Sequence, residues 1–283
     1  MKTENMPTNA FLIVLDTNLK FQSIALILNI LETQPQRTRV IVIYVYEDEF
    51  DRIEYQTLID STYEKYGFAH QLEFIEIKFM EAKEANELTS CFSIPVGSHI
   101  TSATFLRLYI SELLPSDVEK VLYLDIDVMI NSSLDDLFAM NFSTPICAEL
   151  NVPRSLGRGE HLQGHNASYF NSGVMLIDMK KWKDLNLLNQ FIKIGSQETY
   201  PFVDQDILNI VFRNNWTRIG REFNYLHLYG SGEDDPAYGE FPKIIHFAGS
   251  KPWNETSLTQ YVSKYRRNFN KIRQLHALLK DSE

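Results

Sequence analysis

Residues 121–130 read VLYLDIDVMI, two carboxylates two positions apart inside an otherwise apolar run. Burying a carboxylate is costly unless it is paired, hydrogen-bonded or bound to a metal. At the end of a strand, side chains two apart turn to the same face, so Asp125 and Asp127 point together. Paired oxygens on one face suit a hard divalent cation such as Mn2+ or Mg2+, which in turn takes phosphate oxygens. The plainer alternative is Asp as punctuation between strand and loop. His246 ends a second apolar run, in KIIHFAGSKPW. Its imidazole completes a set of two carboxylates and one histidine, with coordination positions left for a diphosphate, although a core histidine before a turn has the same local sequence. In the same segment Gly249 permits close approach of backbone, and Lys251 offers a point positive charge to phosphate.

Further candidates lie elsewhere. Asp204, Gln205 and Asp206 open a helical pattern in FVDQDILNIVF. Capping explains one acid there, whereas a second acid and an amide exceed what a cap requires. Arg107, among Phe105, Leu106 and Leu108, is either a snorkelling surface residue or a clamp on carboxylate or phosphate. Asn171 interrupts the strand-like YFNSGVMLI, as a strand-edge residue or as a partner of sugar hydroxyls. His161 and His165 are four apart but have no carboxylate or cysteine pattern around them, so a zinc site is not expected. Their loop, NVPRSLGRGEHLQGHNAS, reads as a segment covering substrate.

The elements that must position these groups alternate. FLIVL (11–15), 39–47 and 72–79 read as strands; 21–34, 50–66 and 102–115 read as helices, followed by the 121–130 strand. Near-continuous apolar strands alternating with helices predict a mostly parallel sheet covered on both faces, with ligands at the carboxyl ends of its strands. Asp16 and Asp125 both close strands and so share that rim. Strands are expected at 145–150, 169–179 and 243–248, and helices at 178–194, 204–213 and 257–279.

The chain has 283 residues and a formal charge of −10, which argues against general nucleic-acid binding. Residues 251–283 carry seven Lys/Arg against three Asp/Glu, a local +4 that leaves −14 on residues 1–250. Two cysteines, Cys91 and Cys147, form no disulfide framework and point to a reducing compartment. The polar start MKTENMPTNA is not read as a signal peptide, and the expected location is the cytoplasm. The basic final helix has two readings: peripheral contact with the inner face of an anionic membrane, or ordinary packing on the body with a solvated basic face.

Taken in order, DTN (16–18), FLRLYISELLP (105–115), VLYLDIDVMI, YFNSGVMLID (169–178), FVDQDILN (202–209) and HFAGSKPW (246–253) resemble family eight of the glycosyltransferases, which includes glycogenin and bacterial lipooligosaccharide galactosyl- and glucosyltransferases. The resemblance implies a GT-A fold, with a mostly parallel, Rossmann-like nucleotide-binding sheet over residues 1–253 and a helical tail over 254–283. It implies retaining transfer of glucose or galactose from a UDP-sugar to a carbohydrate-bearing acceptor, with Mn2+ or Mg2+. Asp125, Asp127 and His246 would hold the metal. Val14, Leu15, Asp16, Thr17, Asn18 and Ile126 would line the uridine pocket, and Gly249 and Lys251 would meet the diphosphate. Arg107, Asn171, Ser172, Asp204 and Gln205 would surround the donor sugar, with Gln205 and Asp204 as the catalytic pair. Two departures stand out: Leu19 follows Asn18 where the family often has tyrosine, and HFAGSKPW is one residue shorter than the usual spacing.

Two rival readings come from other classes. VLYLDIDVMI also fits an aspartate-nucleophile phosphatase of the haloacid dehalogenase type, with GEDDPA (232–237) as its later acidic motif. A UDP-sugar-binding protein without turnover is the other.

Overall fold

The computed structural model describes residues 9–34, 38–66, 72–98, 100–151, 162, 169–227, 242–254 and 260–281. His161, His165, the GEDDPA stretch and Leu258 lie outside the described residues. The strands are β1 (Asn9–Asp16), β2 (Thr38–Tyr46), β3 (Leu72–Glu81), β4 (Lys120–Leu124), β5 (Val128–Ile130), β6 (Ile146–Leu150), β7 (Phe170–Asp178), β8 (Thr217–Arg218), β9 (Tyr225–Leu226) and β10 (Ile244–His246). The helices are α1 (Lys20–Thr33), α2 (Glu49–Tyr66), α3 (Ala82–Leu88), α4 (Ile110–Leu113), α5 (Asp135–Phe138), α6 (Met179–Asp184), α7 (Leu187–Gly195), α8 (Val203–Val211) and α9 (Gln260–Lys280).

The apolar run of β1 is continuous because both of its faces are buried. Phe11, Ile13 and Leu15 pack into one core with α1 and α9, while Ala10, Leu12 and Val14 pack into a second core with α7 and α8. Around β1 the large sheet is ordered β3-β2-β1-β4-β7-β6-β8. The pairings of β1 with β2 and β4, and of β2 with β3, are parallel; β7 runs antiparallel to its neighbours β4 and β6. A small sheet, β5-β10-β9, stands beside it.

Three expectations are corrected. The 121–130 strand is two strands: β4 ends at Leu124 in the large sheet, and β5 begins at Val128 in the small one. Asp125, Ile126 and Asp127 form the turn between sheets, so the shared direction of the two acids comes from this break and not from pleat alternation. The 102–115 segment is a 3-10 stretch, Ser102–Tyr109, followed by the single turn α4. Ala103 and Phe105–Tyr109 are buried nearly all round, against β1, α7 and α8, which an amphipathic helix with one buried stripe does not allow. The 178–194 helix is broken into α6 and α7 at Asn186, whose φ of 48° places it in the left-handed region that asparagine tolerates.

Helix α9 lies on α1 and α2. Val262, Tyr265, Phe269, Ile272 and Leu275 are buried in the same core as β1 and α1, so its apolar stripe faces protein. Part of its polar face is also engaged: Lys271 and Asn268 bind Glu32, and Lys264 donates to Asn131. No helix among the described residues is long and apolar enough to cross a membrane.

Glu54 of α2 joins three helices, pairing with Lys20 of α1, His276 of α9 at 2.7 Å and Lys280 at 3.4 Å. Burial works to raise its pKa, but Lys20 and His276 outweigh it and lower the value from 4.5 to about 2. A carboxyl depressed in the folded state contributes stability above its unfolded pKa and loses it as pH falls toward the folded value. Glu54→Gln is therefore expected to lower the melting temperature at pH 7 by about 2–3 °C, the effect of roughly 1 kcal/mol in a chain of this size after solvent screening. The gap to the unaltered protein should narrow as pH falls below about 4.5 and close only near the folded value of about 2, read by thermal unfolding.

Candidate active site

The carboxyl ends of β1 and β4 open on a cleft of about 570 Å³, within the range of small-molecule sites. Val14, Leu15, Asp16, Asn18, Arg107, Asp125, Ile126, Asp127, Asn171, Ser172, Asp204, Gln205, His246 and Lys251 all line it. Thr17 and Gly249 do not. The Thr17 hydroxyl turns away to Asp51, at 2.7 Å, and Gly249 is exposed on the turn beyond Ala248, which takes the lining position.

One ligand atom from each of Asp125, Asp127 and His246 falls within 4.8 Å of the others. The strand break supplies the two acids from the large sheet's exit, and β10, paired with β5, brings the imidazole to them. His246 Nε2 lies 3.3 Å from Asp127 Oδ1 and 3.9 Å from Asp125 Oδ2. The other ring nitrogen is fixed by a chain of amides. Asn171 Oδ1 accepts from the Gly173 N–H at 3.0 Å, and it also accepts from Asn224 Nδ2 at 2.9 Å. Asn224 therefore presents its oxygen to His246 Nδ1, at 3.0 Å, and that nitrogen must carry the proton. Nε2 is thereby the ring nitrogen turned toward the two carboxylates, the one placed to meet a metal ion.

Gly173 gives this cluster its room. A β-carbon there would come within 2.3 Å of His246 Cε1 and 2.6 Å of Asp125 Oδ2. Its carbonyl also accepts the Asp125 N–H at 2.8 Å, fixing the first residue of the turn. The donor set and its cradle fit a divalent cation.

Charge balance comes from two cationic side chains, Arg107 and Lys251. Arg107 lies 3.0 Å from Asp125 Oδ1 and 3.1 Å from Asp204 Oδ2, with its guanidinium 4.3 Å over the Tyr123 ring. Burial acts to lower its pKa, yet Asp204, Tyr123 and Asp125 raise it, so it stays a cation. Tyr123 donates to the same Asp125 oxygen at 2.7 Å. Burial works to raise the pKa of Asp127, but His246 and Lys251, whose ammonium contacts its Oδ2, hold it well below the usual carboxylate range. Asp204 goes the other way: burial raises it, Arg107 opposes this, and nearby Asp125 adds to the rise.

Gln205 is locked beside Asn171 and Ser172. Its Oε1 accepts from the Ser172 N–H at 3.0 Å and from Asn171 Nδ2 at 3.3 Å, while Nε2 donates to the Tyr169 hydroxyl at 3.0 Å. Asp206, the second acid of the motif, accepts from that hydroxyl at 2.6 Å and from the Phe202 N–H at 2.9 Å, so it orients rather than lines the cleft. Immediately before Asp204, Val203 has φ of 39°, an outlier for a β-branched residue, which turns the opening of α8 into the cleft.

Several contributors are not singled out by sequence. Tyr123 carried a readable signal, a tyrosine in the apolar run of β4 two positions before Asp125. Thr104, donating to Asp204 at 2.9 Å, and Thr101, donating to Asp16 at 2.6 Å, sit in an unremarkable stretch. Asn224 and the backbone of Val203 carry none, since one depends on partners far along the chain and the other on a dihedral angle. Leu19 lines the cleft at the position where the resemblance expects a ring.

The sequence profile of glycosyl transferase family 8 matches residues 11–257. Glycosyltransferase GlyF of Streptococcus pneumoniae serotype 4 is 30% identical over 182 residues, 59% of this chain and 42% of GlyF. The chain spans 42%, 48% and 26% of the lengths of the pneumococcal relatives GlyF, GlyB and GlyA. A lipopolysaccharide 1,2-glucosyltransferase of Escherichia coli is 25% identical over 275 residues, covering 90% of this chain and 76% of that protein. Among solved structures, the galactosyltransferase LgtC in complex with donor and acceptor sugar analogs superposes with a TM-score of 0.72 at 22% identity, over 93% of this chain and 95% of that one. This likeness shows the fold, GT-A. With the profile spanning nearly all of the sheet and every element of the cleft, the chain belongs to glycosyl transferase family 8.

Proposed function

We propose that this protein transfers glucose or galactose from a UDP-sugar to a carbohydrate-bearing acceptor, with Mn2+ or Mg2+ and with retention at the anomeric carbon. The observation that carries the reading is the Asp125–Asp127–His246 cluster opening on the same cleft as Arg107, Asp204 and Gln205. A divalent cation held by the first three would neutralise charge on the departing diphosphate. Lys251 supplies a second positive charge beside Asp127 for the same purpose. Arg107, fixed by two carboxylates, holds Asp204 and Asp125 apart and in place around the donor sugar.

Retention by double displacement needs a carboxylate nucleophile at the anomeric carbon. Gln205 is an amide, and its oxygen is already directed by the Ser172 N–H. The reading is therefore same-face attack, with the Gln205 carbonyl dipole stabilising positive charge that develops on the sugar. The cleft's amide-rich sugar end and family membership do not favour the phosphatase alternative. A binding protein without turnover differs from this reading in a single measurement, hydrolysis of the donor.

Unaltered protein mixed with a panel of UDP-sugars should be stabilised against heat by UDP-glucose or UDP-galactose only when Mn2+ or Mg2+ is present, with slow release of UDP. Stabilisation independent of metal, or phosphatase activity without UDP binding, would sink the proposal. Gln205→Ala should lower kcat by about 10²–10³-fold, the usual loss for one preorganised dipole, while UDP affinity stays nearly constant. A loss confined to UDP affinity would make Gln205 a binding residue only. Gly173→Ala should weaken Mn2+ affinity by about 10–100-fold, as disturbance around a ligand sphere does. Titration calorimetry with metal alone reads this, and circular dichroism checks that the fold is kept.

A further inference from the structure

We propose that the C-terminal helix is a working part of the donor site, and that Arg266 is a positioning residue for Lys251. The proposal rests on the nucleotide-sugar reading above. It concerns the turn from His246 to Asn254, which carries Lys251 between two anchors. The front anchor is the metal cluster itself. The Phe247 N–H donates to the Asp127 carbonyl at 2.9 Å, and Lys251 Nζ meets both the Asp127 carboxylate and the Phe247 carbonyl, the latter at 3.2 Å. The rear anchor is α9. Arg266 Nε donates to the Pro252 carbonyl at 2.9 Å, one residue beyond Lys251. The Trp253 and Phe247 rings lie 5.9 and 6.0 Å from the Tyr265 ring of the same helix.

Pro252 has no N–H, so its carbonyl is the backbone group by which this residue can be held. The Asn254 N–H closes the turn on the Lys251 carbonyl at 3.0 Å, which passes any shift of Pro252 to Lys251. Lysine has a long flexible stem, and its charge acts on phosphate only where the backbone delivers it. Helix α9 is itself held by Val262, Phe269 and Ile272 in the core, none of which depends on Arg266. Loss of the Arg266 contact thus loosens the turn at Pro252 while the helix stays held.

The test is a double-mutant cycle on UDP affinity in the presence of Mn2+, measured by titration calorimetry on the full chain. Arg266→Ala should weaken UDP binding about five- to tenfold, with kcat changed less than KM for the donor and the melting temperature nearly constant. In a Lys251→Ala background the same substitution should cost nothing more, because the coupling runs through Lys251. Arg266→Lys, which keeps the charge but not the planar fork, should recover part of the loss. Equal losses from Arg266→Ala with and without Lys251, or no loss at all, overturn the positioning role. Failure of the unaltered protein to bind UDP with Mn2+ overturns the nucleotide-sugar reading and this proposal together.

Discussion

Asp125 and Asp127 are carried into a cleft where like charges a few ångströms apart repel strongly. The surroundings of the cleft answer that repulsion. Arg107 takes one carboxylate and Asp204, Lys251 takes the other, and His246 faces both. Each of these partners arrives on a different piece of chain: the 3-10 stretch before β4, the turn after β10, and β10 itself. The need to balance two carboxylates thus explains why the large sheet hands the chain to a small one at this point. A single long strand would carry Val128–Ile130 away from β10, and the imidazole with it.

The same constraint makes the C-terminal segment more than an attachment. Its sequence reads as a basic amphipathic tail, and a membrane-facing stripe is one way to use such a pattern. In the fold the apolar stripe completes the core under β1 and α1, and several of its basic groups bind Glu32 and Glu54. Periodicity reports that a stripe is buried; it does not report against what.

Much of the site was legible in the sequence because chemistry left unusual residues in apolar runs. Asp125, Asp127 and His246 stand out for that reason, and the alternation of strands and helices set Asp16 and Asp125 at a common rim. What stayed hidden has physical causes. The break between β4 and β5 lies inside an unbroken apolar run, since both strands are buried and a change of sheet leaves no polar mark. The 3-10 form of Ser102–Tyr109 follows from packing on all sides, which local propensity does not encode. Asn224 has an ordinary neighbourhood in the chain, and its weight comes from Asn171 and His246, 53 and 22 residues away. Thr17 and Gly249 sit one residue from cleft-lining positions, and only the turn geometry decides which neighbour faces in.

The amide chain from Gly173 through Asn171 and Asn224 to His246 has a polarity, because an amide accepts at one end and donates at the other. Turning any member over would set two donors or two acceptors face to face among buried groups. The backbone N–H at the start of the chain cannot be reversed, so it dictates the orientation of everything after it. The imidazole is consequently delivered in one ring orientation, with Nδ1 donating to Asn224, before any ligand arrives. Capture of a cation then requires no search among ring rotamers. The entropic cost of assembling that ligand was met when the chain folded.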